Sequence, residues 1–179
     1  SGQLTYTAEK DGYLDIRFTN GNIEVNIDTK DMITAEDQTS YYAAKTSYNV
    51  SVSDMNGKVV GKYVKFTVNG ITYNVKTNNN GVATLKVNLK PGTYTVNVAY
   101  GTANAKSKIT VKTTLVTKNL SKKVKKSANF KVKVLNSKGK AVAKKTVKVK
   151  FKGKTYKIKT NKNGIATFKV PKNLKVGKY

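Results

Sequence analysis

The octapeptide TNNNGVAT begins at Thr77 and returns as TNKNGIAT at Thr160, 83 positions later. It sits inside a much longer match. YNVSVSDMNGKVV (residues 48–60) aligns with FKVKVLNSKGKAV (residues 130–142) at an offset of 82. After a slip of one residue, VKFTVNGITYNVKTNNNGVATLKV (residues 64–87) aligns with VKVKFKGKTYKIKTNKNGIATFKV (residues 147–170). LKPGTY (residues 89–94) then meets LKVGKY (residues 174–179). A period of about 83 residues restricts the chain to folds that both copies can adopt, so the unit to explain is a module of some 80 residues.

Within each copy the apolar residues recur every second position, the pattern of strands with one buried face. Tyr48, Val50 and Val52 alternate with polar residues, as do Val64, Phe66 and Val68, then Tyr73 and Val75, then Ala83, Leu85 and Val87, then Tyr94, Val96 and Val98. Asn69-Gly70 is a two-residue hairpin signal, Asn80-Gly81 closes the octapeptide, and Pro91-Gly92 opens the next strand. With residues 32–36 and 106–112 added, the first copy is expected to hold seven short strands, a spacing that fits an immunoglobulin-like sandwich. The octapeptide itself reads as a structural corner. Its asparagines and glycine tolerate a left-handed backbone, and Ala83 and Leu85 begin an inward stripe. A phosphate-binding loop would need a helix and a Lys-Ser/Thr pair after it, and neither follows.

The expected organisation is all-β: tandem immunoglobulin-like β-sandwiches, truncated at both ends. Residues 31–112 form a complete repeat, and residues 113–179 a second repeat lacking its last strands. Residues 11–30 align more weakly with residues 91–112, placing Gly12 opposite Gly92, Ile16 opposite Val96, Phe18 opposite Val98 and Ile27 opposite Ile109. Residues 1–30 are therefore read either as the last strands of a preceding repeat or as an N-terminal hairpin. On the first reading, the missing strands of the second repeat could come from residues 1–30 of another copy.

From Asp54 to Tyr100 the chain follows DxNGKxVGxxVxFTVNGxTYxxxTxxNGVAxLxxxLxPGTYTVxxxY. This string resembles the bacterial Ig-like (Big) repeat domains of adhesin-like cell-surface proteins, and is especially similar to those of methanogenic archaea. The resemblance covers residues 31–179 and implies sandwiches strung as an extracellular stalk, with the export signal and wall anchor encoded outside these residues. Some such adhesins cross-link lysine to asparagine with the help of a buried carboxyl group. Asp54 is the candidate in the first copy, although it also suits a turn that caps the backbone, and the second copy has no aspartate or glutamate.

Composition narrows the chemistry. Histidine and cysteine are both absent, which removes the usual general base near neutral pH, thiol nucleophiles and the commonest ligands of transition metals. No enzymatic activity and no cofactor are expected. Asp28, Asp31, Glu36 and Asp37 cluster near the start of the first repeat, where a solvated acidic linker is a better reading than a metal site.

Charge is distributed as a gradient. Residues 1–30 carry 3 basic and 5 acidic side chains, residues 31–112 carry 10 and 4, and residues 113–179 carry 22 and none. Lys131 and Lys133 flank Val132, Lys148 and Lys150 flank Val149, and Lys157 and Lys159 flank Ile158, so the alternation sends all six heads to solvent. Such a surface attracts polyanions. Arg17 is the only arginine and Tyr156 and Tyr179 the only tyrosines beyond Tyr100, which disfavours base readout and stacking on nucleic acid. No amphipathic helix with aromatic residues suits the chain for membrane insertion. The expected partner is an anionic cell-wall polymer or surface glycan, contacted diffusely through these lysines, besides neighbouring repeats of the same chain. The alternative is a carbohydrate- or protein-binding module that uses Tyr41 and Tyr42 of the first repeat.

Overall fold

The computed structural model describes residues 12–19, 21–29, 31–45, 47–54 and 56–179, with side chains from residue 31 onward. Among them the protein is all-β, with no helix. Contacts divide it into two units, the first comprising Ser1–Gln38, Thr46–Val87 and Thr93–Thr110, the second Thr39–Lys45, Asn88–Gly92 and Val111–Tyr179.

The chain opens with a hairpin of β1 (Gly12–Thr19) and β2 (Asn22–Thr29), in unbroken antiparallel register from Gly12↔Thr29 to Thr19↔Asn22. Next come β3 (Met32–Ala35), β4 (Gln38–Tyr41), β5 (Ser47–Asp54), β6 (Gly57–Lys58), β7 (Tyr63–Val68), β8 (Ile71–Lys76), β9 (Val82–Lys86), β10 (Gly92–Tyr100) and β11 (Ala103–Lys112). One sheet joins β3, β6 and β9 to β5; the other runs β4-β11-β10-β7-β8. The inward stripes of the two sheets meet in an immunoglobulin-like sandwich, the shape in which two half-apolar sheets cover one another. Its core contains Tyr48, Val50 and Val52 of β5, Val64, Phe66 and Val68 of β7, Ala83 and Leu85 of β9, and Val96 and Val98 of β10, all buried. Tyr48 meets Phe66 edge to face, with centroids 6.3 Å apart.

The sequence pattern anticipated most of these strands but not β4 or the short β6. Gln38–Tyr41 reads QTSY, which has no apolar alternation, because β4 is an edge strand held by the backbone of β11. The last strand also begins at Ala103, earlier than the expected residue 106, since Ala103 and Ala105 continue the alternation too weakly to be seen.

Where the second copy has counterpart strands, it repeats the register of the first. It contains β12 (Leu115–Thr117), β13 (Ala128–Val134), β14 (Thr146–Phe151), β15 (Lys154–Lys159) and β16 (Ile165–Val170), in sheets ordered β12-β13-β16 and β14-β15. Tyr48↔Leu85 and Val50↔Ala83 in the first copy become Phe130↔Phe168 and Val132↔Ala166 in the second. Val64↔Val75 and Phe66↔Tyr73 become Val147↔Ile158 and Val149↔Tyr156. Two sequences that differ at many exposed positions thus keep one register, because a one-residue slip would turn every apolar side chain to water.

The octapeptide explains why it recurs. Asn78 Oδ1 accepts the N–H groups of Asn80 and Val82 at 2.9 and 3.0 Å, and Asn161 Oδ1 accepts those of Asn163 and Ile165 at the same distances. The glycine at the corner offers its carbonyl to the strand beside it, from Gly81 to the N–H of Val52 and from Gly164 to that of Val134. Thr160 is buried, donates its hydroxyl to the Val142 carbonyl at 2.6 Å and accepts the Lys145 N–H at 2.8 Å; Thr77, equally buried, accepts the Lys62 N–H at 3.1 Å and donates to the Lys62 carbonyl at 3.3 Å. The octapeptide is a clamp that fastens the end of one sheet to the next strand.

Candidate functional site

All six lysines singled out by their spacing are exposed. Their counterparts in the first copy, at the same register positions, are Asn49, Ser51, Lys65, Thr67, Asn74 and Lys76. Four neutral polar residues have become lysine while the buried neighbours stay apolar: Val50 matches Val132 and Phe66 matches Val149. The change is one of surface charge on an unchanged frame.

The lysines fall into two sets. Lys131 and Lys133 lie on β13, opposite Thr167 and Ile165 of β16. Lys148 and Lys150 lie on β14, with Lys157 directly across from Lys148 and Lys159 across from Thr146 on β15. These two sheets meet through the rings of Phe168, Phe151 and Tyr156, with Phe168 centred 5.6 Å from Phe151 and 4.9 Å from Tyr156. Side chains that alternate with those rings therefore point to opposite sides of the second unit. Instead of one diffuse patch there are two cationic faces, a smaller one on β13 and a denser one on β14 and β15.

The denser face costs stability, since like charges directly opposite on a strand pair repel. No carboxylate side chain lies within residues 113–179 to offset the repulsion. The turn after β13 keeps its form without a carboxylate. In the first copy Asp54 Oδ1 accepts the Asn56 N–H at 2.8 Å; in the second, Asn136 Oδ1 accepts the N–H groups of Lys138 and Lys140 at 2.9 Å. An amide oxygen caps the turn as well as a carboxylate does, and it is neutral.

Tyr41 and Tyr42 follow one another at the end of β4. The Tyr41 ring is half-buried beneath the Lys112 ammonium, 5.8 Å from its centroid, and lies so close to Gly139 that a Cβ there would fall 2.4 Å from it. Tyr42 is 45% exposed, and its N–H is bonded to the Lys112 carbonyl. The spacing-based reading could not detect this packing, because Gly139 and Lys112 are remote in sequence.

The remaining polar features serve structure. Asp37 Oδ1 accepts the Lys108 N–H at 2.7 Å, which draws that member of the acidic cluster into holding β11. Among the described residues no group of three or more metal-ligating side chains converges. The Tyr48 hydroxyl is hydrogen-bonded to Ser107 inside the first core; burial pushes its pKa up, while the Ser107 bond opposes the rise. In the second copy Phe130 replaces this tyrosine. An open groove over β7, β10 and β11, lined by Lys65, Thr67, Asn97, Asn104 and Lys106, has no acid–base pair in it. No described helix is long and apolar enough to cross a membrane.

No protein-family profile and no curated protein sequence matches the chain. Among solved structures it is similar to a Ca2+-stabilized adhesin that helps an Antarctic bacterium bind ice, at 16% identity and a TM-score of 0.31 over 88% of this chain and 47% of that one. It is also similar to the I9–I11 tandem of titin, at 19% identity and a TM-score of 0.40 over 80% of this chain and 57% of that one. Domains 5–6 of the surface-layer protein SbsC match at 14% identity and a TM-score of 0.32, over 89% of this chain and 97% of that one. The chain spans about half the length of the first of these, at 47%. None of these similarities is close enough to transfer a function; the fold rests on this chain's own sheets and register.

Proposed function

We propose that the protein is a non-enzymatic structural module of an extracellular, adhesin-like cell-surface protein, and that its second repeat rests against an anionic polymer of the cell wall. The observation that carries the reading is the excess of lysine: at six exposed positions of β13, β14 and β15 the second repeat has lysine where the first has four neutral polar residues and two lysines, while the strand register is kept. Opposed lysines weaken a strand pair, so their density costs the fold stability unless an anion offsets it. A polyanion offsets that repulsion when it binds. Dense, flexible ammonium groups without arginine or stacking aromatics suit phosphate or carboxylate groups spaced along a polymer better than they suit base edges. The first repeat, with a much smaller excess of lysine, acts as a spacer.

The experiment is retention on immobilised poly(glycerol phosphate) as a function of salt. Charges more than a Debye length of about 8 Å apart are largely screened at physiological ionic strength, so binding that sums many weak contacts falls steeply as salt rises. Restoring the first copy's residues by Lys131→Asn, Lys133→Ser, Lys150→Thr and Lys157→Asn together should weaken retention at least about tenfold, as expected when several phosphate contacts are lost. Retention that ignored salt, or that survived the four substitutions, would contradict the proposal. Binding to duplex DNA that withstood physiological salt would favour nucleic acid instead. Loss of binding on Tyr42→Ala would favour the module that reads its partner through Tyr41 and Tyr42.

A further inference from the structure

A groove of about 480 Å³ crosses β7, β10 and β11 on the outward face of their sheet, wholly within the first unit. That volume is in the range of clefts that hold small ligands. Val64, Phe66 and Val68 on β7 and Val96 and Val98 on β10 are buried, so Lys65, Thr67, Asn97 and Ala99, which alternate with them, face outward. Ala99 pairs with Lys65, and Asn97 with Thr67. Counting from the turn at Gly101 and Thr102 sets Asn104 of β11 beside Ala99, and Lys106 beside Asn97. The hydroxyl bond between Thr93 and Thr110, 3.4 Å long, fits the same register.

The outward side chains thus form two rows across three strands, Lys65-Ala99-Asn104 and Thr67-Asn97-Lys106. Ala99 ends at its Cβ and leaves the depression between longer neighbours. The two lysines stand at opposite corners; with strands about 4.8 Å apart and about 3.3 Å per residue, their Cα atoms are roughly 12 Å apart. Asn104 Nδ2 donates to the Thr102 carbonyl at 3.5 Å, and the Thr67 hydroxyl is bonded to that of Thr72 at 3.1 Å, so both side chains are oriented and keep capacity for a further bond.

We propose that this groove binds a short acidic saccharide, with a carboxylate between the Lys65 and Lys106 ammonium groups and ring hydroxyls on Asn97, Asn104 and Thr67. The lining selects that chemistry. The described lining residues include two lysines and no carboxylate, which favours an anion. They include two amides, each a donor and an acceptor, which match hydroxyl groups that do both. They include no aromatic ring, which leaves a nucleobase without a stacking platform. Two exposed lysines alone hold an anion weakly, so the amides decide what is retained. On β14 the positions of Lys65 and Thr67 are both lysine, Lys148 and Lys150, whereas the groove keeps one hydroxyl in exchange for one charge. The site is independent of the contact proposed for the second repeat, because it lies on other strands and requires hydroxyl groups as well as charge.

The test is a titration of the isotopically labelled chain with trigalacturonate, followed in nuclear magnetic resonance spectra. The amides of Lys65, Thr67, Asn97, Ala99, Asn104 and Lys106 should shift and saturate. Neutral galactotriose and inorganic phosphate should each bind at least about tenfold more weakly, because the first lacks the charge and the second the array of hydroxyl groups. Asn97→Ala combined with Asn104→Ala leaves the net charge unchanged and should weaken trigalacturonate about tenfold, as expected for two lost hydrogen bonds. Ala99→Gln, which fills the floor without adding charge, should weaken it at least as much. Poly(glycerol phosphate) should leave the same amides in place, so that failure of this site and failure of the second repeat's contact are read separately. Shifts confined to the second repeat, an equal response to inorganic phosphate, or full affinity in the asparagine double variant overturns the proposal. Should Ala99→Gln lose its dispersed spectrum, the asparagine pair decides alone.

Discussion

Replacing Phe66 by alanine should destabilise the first unit by about 4 kcal/mol, the cost of emptying a fully buried aromatic site whose surroundings relax only in part. Phe66 is wholly inaccessible and packs edge-on against Tyr48, so the cavity would have no route to water. The counterpart substitution, Val149→Ala, should cost the second unit only about 1 kcal/mol, because a smaller and half-buried side chain leaves little void and gave up little water on folding. Amide exchange under native conditions reads the two effects separately, since each variant should lower protection in its own unit. The fourfold contrast matters more than either value. Equal losses would mean that β14 is as well covered as β7.

Gly81→Val and Gly164→Val should each cost about 3 kcal/mol, combining left-handed backbone strain with overpacking. Both glycines have positive φ, 72° and 73°. A Cβ on Gly81 would lie 2.9 Å from the Val52 carbonyl oxygen, and one on Gly164 would lie 2.9 Å from both the Val134 carbonyl oxygen and the Ala141 Cβ. These are backbone oxygens and a Cβ fixed directly to the backbone, none of which is the free end of a flexible side chain. Gly153 supplies the control: its φ is 74°, yet nothing lies within 4 Å of its Cβ position. Gly153→Ala should therefore cost only about 1 kcal/mol, the strain alone. Urea unfolding of the three variants measures the difference, and a Gly153→Ala loss as large as that of Gly164→Val would show that the octapeptide glycine is merely a turn residue and not part of a clamp.

Much of this architecture could be read before any coordinates because the chain states it twice. Alternation in residues 48–52 and 64–68 found β5 and β7, and the repeat carried the same assignment to β13 and β14. Positions whose role depends on remote partners were not legible. Gln38–Tyr41 gains its place from the backbone of β11, Tyr41 from Gly139 and Lys112, and Ser107 from the Tyr48 hydroxyl. For the lysines, spacing told that each head faces solvent. It could not tell that Lys131 and Lys133 belong to one sheet while Lys148, Lys150, Lys157 and Lys159 belong to the other. That division depends on which strands pair, and alternation is blind to pairing.

A titration of the isotopically labelled chain with poly(glycerol phosphate), followed amide by amide in nuclear magnetic resonance spectra, tests most directly whether the second repeat is the polyanion contact. Shifts should concentrate on β14 and β15 around Lys148, Lys150, Lys157 and Lys159, appear more weakly on β13, leave the first unit's strands in place and vanish at high salt. Shifts centred on Tyr41 and Tyr42, or spread evenly over both repeats, would contradict it.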